Sequence, residues 1–490
     1  MQFTRVSPES VGVSSRAILE FLRRAKEACV EMHGLMILRH GKVCAEGWWA
    51  PYAPQEKHIL FSLSKTFTAT AIGFAEQEGI LSLEEKLVDI FPELCPKNPS
   101  KNLSEADSYS LLTMSCGHET LISAQEDASP SWISAFLHHE FRYKPGTMFQ
   151  YNSAGTNMLS AILQRKTGKT LTEFLTPRLF APLGIQGTRC LKLADGVERG
   201  GSGYFLATED VARLAQFYLQ RGVWEGRRLL QESWFDRAST AQISTVNPVF
   251  TNHDSNWRLG YGFQMWRCIP EGVYRMDGAY GQFGIVIPQK DAVVAINSAS
   301  VYPDDLLNIL WDTILPGMED EPLAEDAEAS AELARTLRGL SLPIAWGIRC
   351  RAGEAAYSGK TYAPAGEMPG LSGLIGGMSL RAIPSSSLCK LSIAFREREA
   401  ILTVVEAEET KALRIDLTGA TARSVLDGCP YAASGAWRGT DVFEIEVRCL
   451  EFVSGSKLRL HFCADVLSIC VTSTLPTVGE SQYALSAVKG

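Results

Sequence analysis

Hydrophobic positions change period part-way along the chain. Up to Ile296 helical and strand-like patterns are mixed, whereas beyond Leu388 the alternation is almost wholly two-fold. A first helix is expected over Arg16–Glu31. A hairpin follows, with Leu35-Met36-Ile37-Leu38-Arg39 turning at His40-Gly41-Lys42 into Val43-Cys44-Ala45-Glu46. From near Ser62 the chain carries no charge between Lys65 and Glu76 and meets Gly79 as a stop, which predicts a buried central helix. Ser82-Leu83-Glu84-Glu85 has the form of a capping box opening a helix toward Phe91. Further helices are expected at Trp132–His138, Asn157–Lys166, Leu171–Leu179 and Thr208–Gln220, and strands at Tyr261–Trp266, Val273–Met276, Gly284–Ile287 and Ala292–Ile296. Strands at both ends with helices between them predict an α+β domain whose antiparallel sheet joins the two ends of the segment.

Acidic residues crowd between Glu319 and Glu332, where Glu319, Asp320, Glu321, Glu325, Asp326, Glu328 and Glu332 lie in an Ala-rich stretch after Pro322. Beyond it come the alternating runs Leu388–Phe395, Ala400–Val405, Leu413–Leu417, Val442–Val447 and Lys457–Phe462, which read as an all-β domain of barrel or sandwich type. The expected organisation is therefore a first domain over 1–315, an acidic linker or helix over 316–336, and an all-β accessory domain over 337–490. A chain of 490 residues exceeds what one core usually supports, which agrees with two domains.

Composition narrows the partners. A net charge of −8 with no basic run argues against nucleic acid. The N-terminal segment lacks an apolar stretch and nowhere do eighteen apolar residues run together, so the reading is a cytoplasmic protein with no membrane partner. Its 12 cysteines are scattered without Cys-x-x-Cys spacing, a pattern of reduced thiols rather than of disulfides or zinc.

Three segments carry candidate chemistry. In Ser62-Leu63-Ser64-Lys65 a helix starting near Ser62 puts its hydroxyl and the Lys65 amine one turn apart on one face. A serine needs a base to become a nucleophile, and lysine serves when burial keeps it neutral. The bland alternative is an N-terminal serine and a snorkelling lysine on a core helix. The second segment, Pro145-Gly146-Thr147-Met148-Phe149-Gln150-Tyr151-Asn152-Ser153, delivers a tyrosine at a helix entry, where it serves equally as a proton relay or as part of a turn and cap. The third, Met276-Asp277-Gly278-Ala279-Tyr280-Gly281-Gln282-Phe283-Gly284, lets backbone approach a ligand closely and supplies a strand N–H for an oxyanion hole, or is simply a glycine-rich hairpin.

Taken in order, these segments resemble the motifs of serine hydrolases of the penicillin-binding-protein and class C β-lactamase type, whose relatives include carboxylesterases, D-amino-acid peptidases and aminohexanoate-oligomer hydrolases. Ser62-x-x-Lys65, Tyr151-Asn152-Ser153 and Met276-Asp277-Gly278 stand for the three motifs, and the resemblance covers about residues 1–312. It implies Ser62, Lys65 and Tyr151 as catalytic residues, with the N–H groups of Ser62 and Ala279 as oxyanion hole. Gly278, Asn152 and Met276 would lie beside the substrate. It also implies a small ester or amide substrate and no metal or cofactor, and leaves room for oligomer formation through the C-terminal domain. The alternatives are a vestigial binding or scaffold protein and a true β-lactamase or D-peptidase. Two departures from the family pattern bear on these. Asparagine usually stands two places after the tyrosine, whereas Asn152 follows directly and Ser153 takes the later place. Met276 stands where β-lactamases carry a lysine. Trp48, Trp49, Tyr52, Phe149, Tyr204, Tyr261 and Tyr280 are candidate pocket walls, and His118, His138 and His139 read as satisfied or exposed histidines.

Overall fold

A computed structural model describes residues 2–123, 128–376, 387–407, 409–475 and 479–488. Two compact units make up the chain, Met1–Trp48 with Ile59–Gly339, and Trp49–His58 with Leu340–Gly490.

The first unit is built on a six-stranded antiparallel sheet. Its elements in chain order are α1 (Ser15–Glu27), β1 (Met32–Arg39), β2 (Lys42–Trp48), α2 (Ser64–Gln77), α3 (Ser153–Thr167), α4 (Thr208–Leu219), β3 (Trp266–Arg267), β4 (Tyr274–Gly278), β5 (Gln282–Ile287), β6 (Ala292–Ser298), α5 (Pro303–Thr313) and α6 (Ala327–Arg338), with shorter helices between them. Strand order is β2-β1-β6-β5-β4-β3, so the expected joining of early and late strands is present, with Met32 opposite Ser298 and Phe283 opposite Ile296. Strand alternation divides the sheet's residues between two faces. Met36, Leu38, Met276, Val286, Val293 and Ala295 share one core with side chains of α2, α3 and α4. Leu35, Ile37, Phe283, Ile285, Val294 and Ile296 alternate with them and are equally buried.

Helix α2 is buried at every position from Ser64 to Ala75, as an uncharged helix in the middle of a domain must be. The acidic stretch does contain a helix, α6, which packs against α1 and buries Ala329 and Leu333. Two expected elements are absent. Of Tyr261–Trp266 only Trp266 enters a strand; Gly262 donates to the Met265 carbonyl, Gln264 adopts φ +58°, and its N–H reaches the Leu112 carbonyl, so the segment turns inward. Ser82 forms a turn instead of a capping box: its hydroxyl accepts from Glu84 N, and the helix between Ser82 and Phe91 is the short Leu87–Ile90.

The second unit is the expected all-β body. Strands β7 (Thr361–Pro364), β8 (Leu388–Phe395), β9 (Glu399–Glu406), β10 (Thr410–Asp416), β11 (Ala422–Leu426), β12 (Cys429–Trp437), β13 (Val442–Cys449), β14 (Gly455–Cys463), β15 (Val466–Ser473) and β16 (Glu480–Ala487) pair in sequence from β7 to β10 and again from β11 to β16. Pairing of β7 with both β8 and β16, and a parallel contact of β10 with β12 at Asp416 and Ser434, closes nine strands into a barrel with β11 attached at β12. Alternate residues such as Ala400, Leu402 and Val404 are buried, which is the two-fold period seen in the sequence. Trp49–His58 belongs to this unit: Ala50 exchanges backbone hydrogen bonds with Leu340 and Leu342, and the Tyr52 hydroxyl donates to the Cys449 and Phe452 carbonyls at 3.3 and 3.2 Å. None of the 12 cysteines forms a disulfide. Among the described residues no helix is long and apolar enough to cross a membrane.

Candidate active site

The approach to α2 is a tight turn. Phe61–Leu63 form one turn of 3-10 helix before the α-helix begins at Ser64, slightly later than the sequence predicts. Phe61 has φ +45°, a left-handed conformation that is costly for a bulky side chain. Ser62 emerges from this turn half-buried, ahead of the positive end of α2. The end of β4 comes up against the same turn. A Cβ at Gly278 would lie 2.1 Å from the Leu60 carbonyl oxygen and 3.1 Å from the Leu63 nitrogen, so only glycine permits this approach.

Lys65 lies wholly buried on the first turn of α2. Its Nζ is 3.0 Å from Ser62 Oγ, 2.9 Å from Ser153 Oγ and 2.6 Å from the Gly201 carbonyl oxygen. Burial drives its pKa from the ordinary lysine value down to about 7, against a smaller opposing pull from the Asp277 carboxylate. Near neutral pH this amine is therefore present in comparable amounts with and without its proton.

Tyr151 completes the cluster. Its hydroxyl shares a hydrogen bond with Ser62, and burial raises its pKa well above the usual tyrosine value. Its ring lies 4.9 Å from Lys65 Nζ and stacks on Trp266 at 5.6 Å. A protonated phenol beside a hydroxyl and an amine of lowered pKa is a chain along which a proton can move.

The surrounding hydrogen bonds separate neighbours that look alike in sequence. Ser64 is fully buried and its Oγ accepts the Tyr204 N–H at 3.0 Å, so it serves the fold. Asn152 is the N-cap of α3: its Oδ1 accepts from Gly155 N at 3.3 Å and its Nδ2 faces His118 Nδ1 at 3.1 Å. That turns its side chain toward His118 while Ser153, the first residue of the helix, reaches Lys65. His118 is buried between Phe136 and Phe141, and burial lowers its pKa to about 3, so it is neutral. His138 and His139 are hydrogen-bonded to Ser134 and Thr120. Gly201, whose carbonyl holds Lys65, is fixed by its own N–H donating to Asn157 Oδ1 at 3.0 Å.

In the third segment the side chains diverge. Met276 has no exposed surface and packs in the core, its sulfur beside Gly284 and that glycine beside Val211, so the structure brings it to no accessible wall. Asp277 lies on the opposite face and pairs with the buried Arg275 at 2.8 Å. Ala279 is exposed in the three-residue turn between β4 and β5. Of the aromatic wall candidates, Tyr261 and Phe149 pack with Trp266 behind Tyr151, and Tyr280 packs on Phe61 at 5.6 Å. Trp48 is half-buried beside Gly34, Tyr204 is sealed in the core against Phe67, and Trp49 and Tyr52 belong to the second unit. Sequence reasoning passed over the Gly201 carbonyl, the contact of Ser153 with Lys65, and Trp266. Two traces stood in the sequence, Ser153 at the later place of the second motif and the Gly200-Gly201 pair, which packs against α2 and α3.

The fold is thus an antiparallel sheet packed with helices, with Ser62 and Lys65 one turn apart at the head of α2. The chain belongs to the Beta-lactamase family, whose model matches residues 24–317, more than half of its length, and it is a hydrolase of that family. It is similar to the 6-aminohexanoate-dimer hydrolase of Paenarthrobacter ureafaciens, 26% identical over 306 residues that cover 58% of this chain and 76% of the relative. It is also similar to penicillin-binding protein 4 of Amycolatopsis lactamdurans, 24% identical over 273 residues, 48% of this chain and 70% of that one. Among solved structures, the octameric penicillin-binding protein homologue from Pyrococcus abyssi aligns with TM-score 0.51 and 15% identity over 96% of this chain and 99% of its own, a likeness of fold alone.

Proposed function

We propose that this chain cleaves an ester or amide bond of a small neutral substrate through an acyl-enzyme on Ser62. The observation that carries the reading is the 3.0 Å contact of a fully buried Lys65 amine, its pKa near 7, with the Ser62 hydroxyl. The Gly201 carbonyl can only accept, so one N–H of the neutral amine stays on it and a second on Ser153. That leaves the nitrogen lone pair for the Ser62 proton. As Ser62 Oγ attacks the carbonyl carbon, Lys65 takes the proton, and the N–H groups of Ser62 and Ala279 receive the oxyanion. Tyr151 hands a proton to the departing oxygen or nitrogen and recovers one through the Ser62–Lys65 pair. Water then attacks the acyl carbon with Lys65 again as base, and Ser62 leaves with its proton restored.

Met276 bears on substrate choice. A β-lactam carries a fixed carboxylate that a cation in this motif can pair with, and a methionine sealed in the core offers none. We therefore favour unstrained esters and amides over β-lactams, in keeping with the 6-aminohexanoate dimer named for the Paenarthrobacter relative. We further read the barrel as an accessory module and a surface for assembly, and the chain, whose cysteines form no disulfide, as cytoplasmic.

The test is labelling by a fluorophosphonate probe together with turnover of p-nitrophenyl acetate. Wild-type protein is expected to label stoichiometrically, and Ser62→Ala, which removes only a hydroxyl from a half-buried position, to lose both labelling and turnover while keeping its melting curve. An unlabelled, inactive wild-type protein would instead support the scaffold reading.

A further inference from the structure

Beside the proposed proton relay lies an aromatic stack that the reaction itself does not require, in which Tyr151 and Phe250 are partly exposed and Trp266, 4% exposed, forms the floor between them. The half-buried Tyr151 ring stacks on Trp266 at 5.6 Å with 26° between planes, and Trp266 meets Phe250 at 5.8 Å. Phe149 supports both from beneath, 5.6 Å from Trp266 and 5.0 Å from Phe250. Phe250 comes from the irregular connection between Ser239 and Ser255, and its placement is built in. Asn247 Oδ1 accepts from the N–H groups of Val249 and Phe250 at 2.9 and 3.0 Å, while Asn247 Nδ2 donates to the Phe149 carbonyl at 3.2 Å. This Asx-type turn ties the connection to the segment that ends in Tyr151. From Ala241 to Asn252 the connection carries no charged residue, and Phe250 is half-buried while Val246 is exposed. A surface loop of that length without a charge, anchored so that its aromatic joins a stack reaching the relay tyrosine, is poorly explained as solvated chain alone.

We propose that the partly exposed rings of Tyr151 and Phe250, held by the buried Trp266 beneath them, receive the leaving-group side of the substrate and select an apolar, preferably aromatic, alcohol or amine. This rests on Ser62 as nucleophile and Tyr151 as donor to the leaving atom. The Tyr151 hydroxyl must stand beside the departing oxygen or nitrogen, so whatever that atom carries is directed along the surface that begins at the Tyr151 ring. The acyl side departs from the carbonyl carbon in the other direction. Aromatic faces take apolar and ring groups in offset or edge contact and offer nothing to a charge of either sign beyond a cation over the ring face. A small aliphatic alcohol would leave most of the surface unused.

The experiment compares two ester series by pH-stat, acetates of ethanol, butanol and benzyl alcohol against methyl esters of acetic, butyric and phenylacetic acid, in the full chain and in Phe250→Ala and Phe250→Leu. In wild-type protein kcat/KM is expected to rise along the alcohol series. Phe250→Ala should cut the preference for benzyl over ethyl acetate about tenfold, the order expected for loss of one aromatic contact, keep the order of rates within the acyl series, and leave fluorophosphonate labelling intact. Phe250→Leu should restore the butyl preference and not the benzyl one, and melting curves identify a variant that has lost its fold. A wild-type alcohol series without slope, or a Phe250→Ala effect confined to the acyl series, overturns the assignment. Failure of the wild-type protein to label overturns the nucleophile instead, so the two readings fail separately.

Discussion

Replacing Lys65 by methionine separates what the lysine does for chemistry from what it costs the fold. Methionine matches the lysine stem in length and carries no charge. In the native state the Lys65 pKa is about 7 against 10.5 for a free lysine, a difference worth about 5 kcal/mol at 1.36 kcal/mol per unit. Between those two values the unfolded chain holds the proton and the native state has released it, so wild-type stability rises with pH across that window. Below pH 7 both states are protonated and the full penalty applies. At pH 9 the native amine is neutral and the penalty has fallen to about 2 kcal/mol by the same linkage. Methionine removes the titration and, with it, the bonds to Ser62, Ser153 and Gly201, at about 1 kcal/mol each. That loss hardly depends on pH. The stability of Lys65→Met relative to wild type should therefore fall by about 3 kcal/mol between pH 6 and pH 9, the variant comparing best in acid, while esterase turnover drops by about a thousandfold or more at every pH. Urea unfolding of both proteins at three pH values measures the first, since every other titrating group is common to the pair. Wild-type kcat/KM should also rise with pH through a midpoint near 7 as the base loses its proton. A stability difference that stays constant from pH 6 to 9, or a pH–rate profile flat from 6 to 8, would refute the neutral buried base.

Three further outcomes are expected. Tyr151→Phe keeps the stack on Trp266 and loses the hydroxyl, so kcat for ester hydrolysis should fall by roughly a hundredfold with little change in melting temperature; an unchanged kcat would make Tyr151 a packing residue. Ser64→Ala should still label with fluorophosphonate but lose about 1–2 kcal/mol of stability, because it leaves the buried Tyr204 N–H without its acceptor; loss of labelling would mean that the nucleophile had been misassigned. Gly278→Ala should abolish turnover by pushing β4 away from the Ser62 turn, a Cβ there lying 2.1 Å from the Leu60 oxygen, and near-normal activity in that variant would show that the β4 edge takes no part in holding the oxyanion.

What the sequence determined by itself is what depends on neighbours in the chain. A serine and a lysine three apart at the head of a helix without further charge share a face whatever surrounds them, and a two-fold pattern repeated from Leu388 onward has few ways to bury itself other than a barrel or a sandwich. The return of late strands to the first hairpin followed from the same periodicity. Tertiary structure decided the rest, because it depends on which distant segments meet. Asn152 and Ser153 are adjacent and both polar. Only the start of α3 between them sends one side chain to His118 and the other to Lys65. Met276 occupies a motif position in sequence and shares its face of β4 with Gly278, yet packing covers it in the core while Gly278, two residues on, meets the Ser62 turn. The inward fold at Gln264 and the exchange of Trp49–His58 into the barrel unit rest on hydrogen bonds to residues far along the chain, which no local pattern encodes. The lowered pKa of Lys65 is likewise a property of the packed state. The sequence supplies an apolar helix, but only packing on all sides takes the amine out of water and leaves it neutral beside Ser62.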